Sequence, residues 1–286
     1  MAELFGGPVA QKICEKITDS LEEAKKSDKY PGRLPKLAIV RIGKRDDDLA
    51  YERGAVKRIE KLGMNFEIFE FDGNITNEEF QKEFIKINND SNIDGILLFM
   101  PLPENINTRE TISNLSPEKD LDGLTLTNMA CLYAGAGGYA PCTAEAVIKL
   151  LDYSDIEMDG KNVTVIGRSN VIGKPVSMML IDKNATVTIC HSHTRNLKDI
   201  CKRADIVIAA VGKAKMIDGS YIGDGSVVID VGVNVDENGE LCGDVEYESV
   251  YEKAELITPV PRGVGSITTS VLSEHLLKSF IKKFDI

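Results

Sequence analysis

Short apolar runs rich in valine and isoleucine alternate with stretches of helical periodicity along this chain, and the alternation strongly restricts its fold. Three such runs, KLAIVRIG (36–43), FEIFEF (66–71) and DGILLF (94–99), are predicted strands. Nearly all-apolar strands separated by helices are typical of parallel sheets that are covered on both faces. The sequence therefore predicts an α/β fold.

The segment between the second and third predicted strands carries the clearest helix signal. Thr76 and Glu79 have the spacing of a capping box, in which each side chain bonds the main-chain N–H of the other residue. Phe80, Phe84 and Ile87 follow at intervals of three and four residues and form one apolar stripe. We therefore expect an amphipathic helix here.

The same alternation restarts after residue 142, beyond the glycine-rich segment YAGAGGYAP (133–141). A chain of 286 residues is long enough for two domains. We expect the first domain to contain residues 1–142 together with a final helix in 268–286, and the second to contain 143–267. The second series comprises a helix at 143–153 and strands at 162–167, 186–190, 205–212 and 226–233.

Charge and hydropathy exclude several classes of protein. The formal charge of −11 and pI near 4.9 argue against a general nucleic-acid binder, because no broad basic face could neutralise phosphates. No apolar run approaches the roughly 20 residues of a membrane-spanning helix. The N-terminal segment does not follow the signal-peptide pattern, so we expect a cytoplasmic protein.

The cysteine and histidine spacing predicts no metal site. Six cysteines are scattered without a C-x-x-C pair, and we expect them to be reduced and mostly buried. His191 and His193 are two residues apart, but no third ligand accompanies them.

The stretch VTVIGRSNVIGKPVSMML has the order strand, glycine-rich turn and helix. Gly167 ends the strand, Gly173 would allow close main-chain approach at the helix start, and Pro175 suits the first turn. The free N–H groups of such a helix start can bind a pyrophosphate. The spacing G-x5-G is a weak pattern by itself, and a βα turn without a ligand remains an alternative.

The residues after the second strand of this series favour NADP over NAD. That strand ends in TICHSHTRN, without the carboxylate that would bind the ribose 2′-OH of NAD. Ser192 and Arg195 follow it, and Arg168 lies in the glycine turn. A planar guanidinium matches phosphate oxygens. The alternative, solvated surface arginines, stays open for Arg195 in particular.

Further motifs extend over nearly the whole chain: MPLP (100–103), PEKDLDGL (117–124), PCTA (141–144), GRSNVIGKP (167–175), ITPVPRGVGSIT (257–268) and Tyr51 at its spacing after RIG. Together they make the chain resemble the bacterial family of methylenetetrahydrofolate dehydrogenase/methenyltetrahydrofolate cyclohydrolase. The resemblance implies two α/β domains, the C-terminal one a Rossmann-like doubly wound parallel sheet. It further implies a folate in the cleft between the domains, NADP on the C-terminal domain, and a homodimer. The family oxidises 5,10-methylenetetrahydrofolate to the methenyl form and hydrolyses that to 10-formyltetrahydrofolate.

Carried over by position, the resemblance implies that Tyr51 and Phe99 line the folate site and that Asp122 binds the pterin, with Tyr51 and Asp122 the catalytic candidates. A carboxylate suits a 2-aminopyrimidinone because it accepts two parallel N–H bonds. For Asp122 the alternative is a helix or turn cap. The loop that would border folate and nicotinamide contributes Pro261, Gly263 and Gly265. The implied cofactor residues are Gly167, Arg168, Ser169, Gly173, Ser192, Arg195 and Gly212.

The chain departs from the family beside Tyr51. Ala55 stands where the family has a lysine, and Phe99 where it has a glutamine. Lys57 cannot simply replace that lysine, because on a helix it points roughly 200° away from Ala55. Asp48, which is able to cap, stands where the family often has serine, and this suggests that the helix is retained. Arg262, Ser266 and Ala144 replace a glycine and two prolines of the family.

These departures predict an NADP-dependent dehydrogenase whose cyclohydrolase activity is weak or lost. Hydride transfer mainly requires positioning, whereas hydrolysis requires an acid–base group. Three alternatives stay open. A fully bifunctional enzyme could use Arg53, Lys57 or Lys44 as a substitute base; the chain could be a non-catalytic folate-binding relative; or it could be another NADP dehydrogenase, such as a shikimate-type enzyme.

Overall fold

The computed structural model describes residues 2–286, which form parallel sheets flanked by helices. The strands are β1 (Ala2–Glu3), β2 (Lys36–Ile42), β3 (Asn65–Phe71), β4 (Gly95–Leu98), β5 (Asn162–Ile166), β6 (Thr186–Cys190), β7 (Ile206–Ala209), β8 (Val227–Asp230), β9 (Asn234–Val235), β10 (Leu241–Cys242) and β11 (Leu256–Ile257). The helices are α1 (Gly6–Ala24), α2 (Asp46–Lys61), α3 (Asn77–Asn89), α4 (Thr108–Asn114), α5 (Leu126–Tyr133), α6 (Cys142–Tyr153), α7 (Gly173–Asp182), α8 (Leu197–Cys201), α9 (Tyr247–Tyr251) and α10 (Thr268–Phe284). Short 3-10 helices lie at Gly219–Tyr221 and Val264–Ser266.

The chain divides into two compact units. The N-terminal unit contains Lys12–Cys142 and Thr269–Ile286, and the C-terminal unit contains Thr143–Thr268 and the N-terminal residues through Gln11. This division differs from the predicted boundaries at Thr268, by a single residue, and in the residues before Lys12. The second difference arises because β1 pairs in parallel with β11, in the sheet of the C-terminal unit.

The N-terminal unit is built on a parallel sheet with strand order β3-β2-β4. Its three strands confirm the strands predicted from the apolar runs. The predicted capping box is also confirmed: the Thr76 side chain accepts from the Glu79 N–H, and the Glu79 side chain accepts from the Thr76 N–H. The apolar stripe of α3, including Phe80 and Phe84, is fully buried in the core of this unit.

The C-terminal helix α10 belongs to the N-terminal unit, where residues on both sides of β4 in the chain hold it. Ser279 Oγ donates to the main-chain oxygens of Asp94 at 2.6 Å and Glu118 at 2.9 Å. The Asp94 carboxylate accepts from Arg33 at 2.6 and 2.7 Å and from Lys283 at 2.9 Å. Because the Asp94 side chain is fully buried, these charge-assisted bonds are what make its burial tolerable.

The C-terminal unit contains a six-stranded sheet with the order β1-β11-β8-β7-β5-β6. All five of its pairings are parallel, which confirms the predicted doubly wound α/β fold. The strand that follows β5 in the chain, β6, lies on one side of β5, and the next strand, β7, lies on the other side. The strand order therefore reverses between β5 and β7. In open α/β sheets, ligands bind outside the carboxyl ends of the strands at such a reversal. The antiparallel pair β9–β10 was not foreseen from the sequence.

Two further expectations concern cysteines and membrane segments. All six cysteines are free thiols, and all but Cys131 are buried, as predicted. Within residues 2–286, no helix has the length and apolar character needed to cross a membrane.

The aromatic core of the N-terminal unit generates a stability prediction. Phe84 stacks on Phe80 with ring centroids 5.7 Å apart and has no exposed surface. We expect Phe84→Ala to lower the free energy of unfolding by about 3–5 kcal/mol, because it removes buried apolar surface and leaves a cavity. Ile85→Ala, on the exposed side of the same helix, should change it by no more than about 1 kcal/mol. Urea unfolding of both variants measures this, and equal effects would contradict the described packing.

Candidate active site

Helix α2 carries Tyr51 and turns one face inward. Its buried residues are Asp48, Glu52, Ala55 and Ile59, which recur at the spacing of a helix face. Ala55 has no exposed surface at all, whereas Lys57 is exposed. The position one turn after Tyr51 is therefore filled by a methyl group, and the nearby lysine lies on the other side of the helix.

The helix that carries Tyr51 is present, as expected, but Asp48 does not cap it. Helix α2 begins at Asp46, its N-cap residue is Arg45, and no side-chain capping bond forms there. Asp48 lies inside the first turn, where its carboxylate accepts from Arg45 Nε and Nη2, both at 2.8 Å. This pairing raises the pKa of the Arg45 guanidinium, through the hydrogen bonds to Asp48. Three consecutive aspartates suit the first turn because they complement the helix dipole.

Tyr51 lies against Phe99, which directly follows β4. The two rings form an edge-to-face pair with centroids 6.1 Å apart and an interplanar angle of 86°. Both residues are half-buried. Phe99 is held by its N–H, which donates to the Val40 oxygen at 3.1 Å, and Arg45 Nη2 donates to the oxygen of the next residue, Met100, at 2.9 Å. The structure thus pairs the predicted folate residues as an aromatic wall.

The three residues considered as substitute bases are all exposed side chains. Lys44 pairs with Glu70, with Nζ and Oε1 3.1 Å apart, and this bond lowers the pKa of Glu70. Arg53 and Lys57 are exposed on α2. Desolvation is what allows a lysine amine to act as a base near neutral pH, and none of these three side chains is buried.

Asp122 is held at the start of α6. Its Oδ1 accepts from the N–H of Cys142 at 2.7 Å, which is the contact expected of a helix cap. Burial raises the pKa of the Asp122 carboxyl, although its bonds with Cys142 act in the opposite direction. One carboxylate oxygen of Asp122 therefore acts as a helix cap, which was the alternative interpretation of this residue. The binding of folate by Asp122 stays a prediction.

Two residues beside Asp122 were not identified from the sequence. His275 Nδ1 donates to the Leu121 oxygen at 2.8 Å and lies 3.9 Å from Cys142 Sγ. Cys142 was visible in the PCTA motif, but a single thiol carries no spacing signal. His275 lies 154 residues from Leu121 along the chain, so no local pattern could have indicated the contact.

The loop that presents Asp122 is organised by its neighbour Asp120. The buried Asp120 carboxylate accepts from the N–H groups of Leu124 at 2.9 Å and Thr125 at 2.7 Å. It also accepts from Asn128 Nδ2 at 2.9 Å. Gly123, at φ +63°, lets the chain pass the Tyr139 oxygen, which a Cβ would approach to 2.5 Å. The bonds of Asp120 thus all go to its own loop and to α5, and they make it a structural carboxylate.

In the C-terminal unit, the glycine turn is shaped by contacts that exclude side chains. A Cβ on Gly167, which has φ +140°, would lie 2.2 Å from the Ala210 oxygen. A Cβ on Gly173 would lie 2.2 Å from the Gly167 oxygen, as the predicted close approach requires. Ser169 Oγ accepts from the N–H groups of Ile172 at 3.1 Å and Gly173 at 3.4 Å. The turn is therefore compact, and Ser169 caps the start of α7.

The predicted phosphate ligands lie at one edge of the sheet. Ile166 and Cys190 are register partners at the carboxyl ends of β5 and β6. Arg168 follows the first strand, and Ser192 and Arg195 follow the second, all three exposed. His191 Nδ1 accepts from the His193 N–H at 3.2 Å, so this pair is engaged in a local turn.

The remaining predicted residues lie in two loops. Gly212, at φ +65°, faces open space, and its N–H donates to Asp244 at 3.0 Å. Pro261 lines a pocket of about 400 Å³ that Asp230 also borders. A Cβ on Gly263 would lie 2.5 Å from the Pro259 oxygen, whereas Gly265 faces open space.

Arg262, between these loop residues, adopts a left-handed conformation. Its φ of +85° is one that a residue with a side chain rarely takes. Its guanidinium lies over the Phe5 ring, 5.4 Å from the centroid, and its oxygen accepts from the Gly6 N–H at 2.9 Å. Stacking on an aromatic face is favourable for arginine and offsets part of the backbone strain.

A dinucleotide fits the residues at this edge of the C-terminal unit. The turn contains two glycines at which a side chain would collide with main chain, and Gly212 adds an open glycine face. Arginines and a serine, rather than carboxylates, follow β5 and β6. Together these residues could hold a pyrophosphate and a 2′-phosphate.

The close approach at Gly173 generates a prediction. Gly173→Ala should lower the free energy of unfolding by at least about 1–3 kcal/mol, because the alanine Cβ would overlap the Gly167 main chain. Gly7→Ala is the matched control, since Gly7 also lies in a first helical turn but has no atom within 4 Å of its ideal Cβ. It should leave stability unchanged or raise it slightly. Thermal unfolding followed by circular dichroism compares the two, and a harmless Gly173→Ala would refute the described turn.

Comparison with known proteins agrees with this geometry. Residues 4–122 match the family model described as tetrahydrofolate dehydrogenase/cyclohydrolase, catalytic domain, and residues 141–284 match the NAD(P)-binding domain of the same family. The bifunctional protein FolD of Clostridioides difficile (strain 630) is 48% identical over 275 residues, which cover 96% of this chain and 94% of that protein.

Solved structures lead to the same family. The crystal structure of the bifunctional enzyme FolD, methylenetetrahydrofolate dehydrogenase/cyclohydrolase, from Campylobacter jejuni has a TM-score of 0.93 at 32% identity, covering 99% of this chain and 100% of that one. The Trypanosoma brucei methylenetetrahydrofolate dehydrogenase-cyclohydrolase (FolD), solved with NADP cofactor and an inhibitor, has a TM-score of 0.91 at 35% identity, covering 98% and 97%. The chain described here belongs to the tetrahydrofolate dehydrogenase/cyclohydrolase family.

Proposed function

We propose that this protein oxidises 5,10-methylenetetrahydrofolate to 5,10-methenyltetrahydrofolate with NADP as hydride acceptor, and that its cyclohydrolase activity is weak or lost. The observation that carries the proposal is the surroundings of Tyr51: the ring of Phe99 on one side and, one turn along α2, the fully buried methyl group of Ala55. Family membership supports the folate and nicotinamide chemistry.

The dehydrogenase step does not require the protein to transfer a proton. A hydride leaves the bridging carbon of the folate, and the resulting cation is stabilised by the two nitrogens that flank that carbon. No proton is transferred, so correct positioning supplies most of the acceleration. NADP, when bound, accepts the hydride at its nicotinamide ring. In this proposal Tyr51 and Phe99 hold the folate ring, and Asp122 accepts from its 2-amino and N3–H groups.

The choice of NADP is supported by the sheet edge of the C-terminal unit. The residues after β6 include Ser192 and Arg195 and lack a carboxylate, and Arg168 follows the neighbouring strand β5. A 2′-phosphate is favoured by such cationic and hydroxyl groups. The loop with Pro261, Gly263 and Gly265 is assigned to the folate and nicotinamide side by resemblance. The remaining cofactor residues in this proposal are Gly167, Ser169, Gly173 and Gly212.

The cyclohydrolase step has different requirements. Water must lose a proton and a ring nitrogen must gain one, and a suitably placed acid–base group typically contributes about 10²–10⁴-fold. A lysine one turn after Tyr51 could serve, whereas an alanine offers no ionisable atom. Lys44 is engaged with Glu70, and Lys57 is exposed on α2. These features support a loss of hydrolysis in this chain.

Assays of the two half-reactions test the proposal. Wild-type protein should reduce NADP in the presence of methylenetetrahydrofolate, measured by the absorbance of the reduced nicotinamide, and should hydrolyse methenyltetrahydrofolate only slightly above the uncatalysed rate. The double variant Ala55→Lys/Phe99→Gln should gain hydrolysis by about 10²-fold or more, because it restores an amine and an amide beside Tyr51. Lys57→Ala is the matched control and should change neither rate.

Three outcomes would overturn parts of this proposal. Rapid hydrolysis by the wild type would identify a fully bifunctional enzyme, and its loss in Lys57→Ala or Lys44→Ala would identify the substitute base. Folate binding without any reduction of NADP would identify a non-catalytic folate-binding relative. Oxidation of shikimate in place of the folate would identify a different dehydrogenase.

The raised pKa of Asp122 gives a second prediction for folate binding. The pterin donates two N–H groups, so it needs the carboxylate form of Asp122. Burial raises the pKa of this carboxyl in the free protein, so protonation and weaker binding should set in at a higher pH than for an ordinary aspartate. The Kd for tetrahydrofolate, measured by calorimetry, should therefore rise as pH falls. Asp122→Asn should bind at least about tenfold more weakly and with a flat pH profile; an unchanged profile would exclude Asp122 from the folate site.

Two further expectations accompany the proposed function. The resemblance implies a homodimer, which light scattering after size-exclusion chromatography would show as twice the chain mass of 31.3 kDa. We also place the protein in the cytoplasm, where reduced folates and NADP are both used.

A further inference from the structure

Asp244 is a fully buried carboxylate that collects four hydrogen bonds. Its Oδ2 accepts from the N–H groups of Val211 at 2.6 Å and Gly212 at 3.0 Å. Its Oδ1 accepts from the Lys213 N–H at 2.8 Å and from Asn234 Nδ2 at 2.9 Å. Three consecutive main-chain N–H groups thus converge on one side chain, which fixes the path of residues 211–213.

A second buried carboxylate, Asp230, holds the main chain around Asp244. Asp230 Oδ1 accepts from the Gly232 and Asp244 N–H groups, both at 3.0 Å, and Oδ2 accepts from the Val245 N–H at 2.9 Å. Burial raises the pKa of Asp230 to about 6, so near neutral pH it accepts these bonds as an anion. Both ends of the segment from Gly232 to Val245 are therefore tied to Asp230.

Two glycines make room for these carboxylates in a crossed arrangement. A Cβ on Gly232 would lie 2.2 Å from Asp244 Cγ, and a Cβ on Gly243 would lie 1.8 Å from Asp230 Oδ2. The glycine two residues after Asp230 thus accommodates Asp244, and the glycine before Asp244 accommodates Asp230. Neither carboxylate could occupy its place if the opposite glycine had a side chain.

The loop held by Asp244 lies at the carboxyl ends of the strands, on the side of the sheet where a nucleotide fits. Residues 211–213 follow β7, which pairs with β5, and the Ala210 oxygen approaches Gly167 of the glycine turn. Gly212 has a positive φ and faces open space, which leaves room for a ligand beside the main chain. All three N–H groups of the loop donate to Asp244 and are not available to a ligand. What the loop provides is the space beside Gly212, where no side chain projects.

We infer that Asp244 is a positioning residue for the dinucleotide: by binding the N–H groups of residues 211–213 it holds Gly212 in the conformation that admits the nucleotide, with Asp230 fixing Asp244 in turn. This inference rests on the proposed NADP-dependent function. Asp244 contacts main chain rather than the nucleotide, so it acts through Gly212.

The test compares Asp244→Asn with the wild type in binding, kinetics and amide exchange. Asparagine keeps the shape but presents an NH2 group to N–H donors, so the loop should lose its fixed path. The Kd and KM for NADP should rise by about tenfold or more, while tetrahydrofolate Kd, kcat at saturating NADP and far-ultraviolet circular dichroism stay close to wild type. Hydrogen exchange of peptides covering residues 211–213 should be faster.

Asp218→Asn is the matched control. Asp218 is another aspartate of the C-terminal unit whose side chain accepts from a main-chain N–H, that of Ser220, and it caps the 3-10 helix Gly219–Tyr221. Its substitution should leave NADP binding and exchange at residues 211–213 unchanged. If both variants weakened NADP binding equally, Asp244 would be a general structural residue and the inference would be wrong.

A milder variant keeps the test decisive if Asp244→Asn does not fold. Asn234→Ala removes only one of the four donors to Asp244, and it should raise the NADP Kd by about two- to fivefold with a normal unfolding temperature. Unchanged NADP affinity in a folded Asp244→Asn, or in Asn234→Ala when Asp244→Asn is unfolded, would overturn the inference. Absence of NADP binding by the wild type would instead contradict the proposed function.

Discussion

The close approach of main chain to main chain at Gly167 is the contact on which the C-terminal unit depends. It brings the end of β5 against Ala210 after β7, and the Gly167 oxygen in turn abuts Gly173 at the start of α7. Because a single Cβ at either glycine would collide with backbone rather than with a flexible side chain, the neighbours cannot adjust. The edge of the sheet and the helix start are thereby held together, and the shape that could receive a pyrophosphate follows from contacts made without any ligand.

In the N-terminal unit, the comparable constraint is the inward face of α2. The helix must bury Asp48, Glu52, Ala55 and Ile59, and this fixes which way Tyr51 points. The charged members of that face are tolerated because each has a partner, Arg45 for Asp48 and Arg41 for Glu52 at 3.0 Å. An amine at position 55 would be desolvated beside a phenol, the setting that tunes a lysine towards neutral pKa. In this chain the position is filled by the methyl group of Ala55, which has no exposed surface.

The features predicted well from the sequence are those set by neighbouring residues. The capping box of Thr76 and Glu79 is local chemistry, and the apolar strands identify parallel sheets because both faces must be covered. The place of Asp48 could not be read from the sequence, because a cap depends on where the helix begins, and α2 begins at Asp46, two residues before Asp48. The partners of Asp244 escaped notice for another reason: residues 211 and 244 are 33 apart, and only the fold brings them together. The short strand β1 likewise carries no periodicity to detect.

The position of β1 at the end of the six-stranded sheet has a practical consequence for handling the protein. Ala2 and Glu3 pair with β11, Tyr247 Oη donates to Glu3 at 2.7 Å, and Phe5 and Gly6 contact Arg262. The loop proposed to border the substrate is thus braced by the first few residues, and it includes an arginine in a left-handed conformation. An affinity tag fused ahead of Ala2 would therefore directly adjoin the residues that support this loop. Purification handles are better placed after α10, whose last turns belong to the other unit.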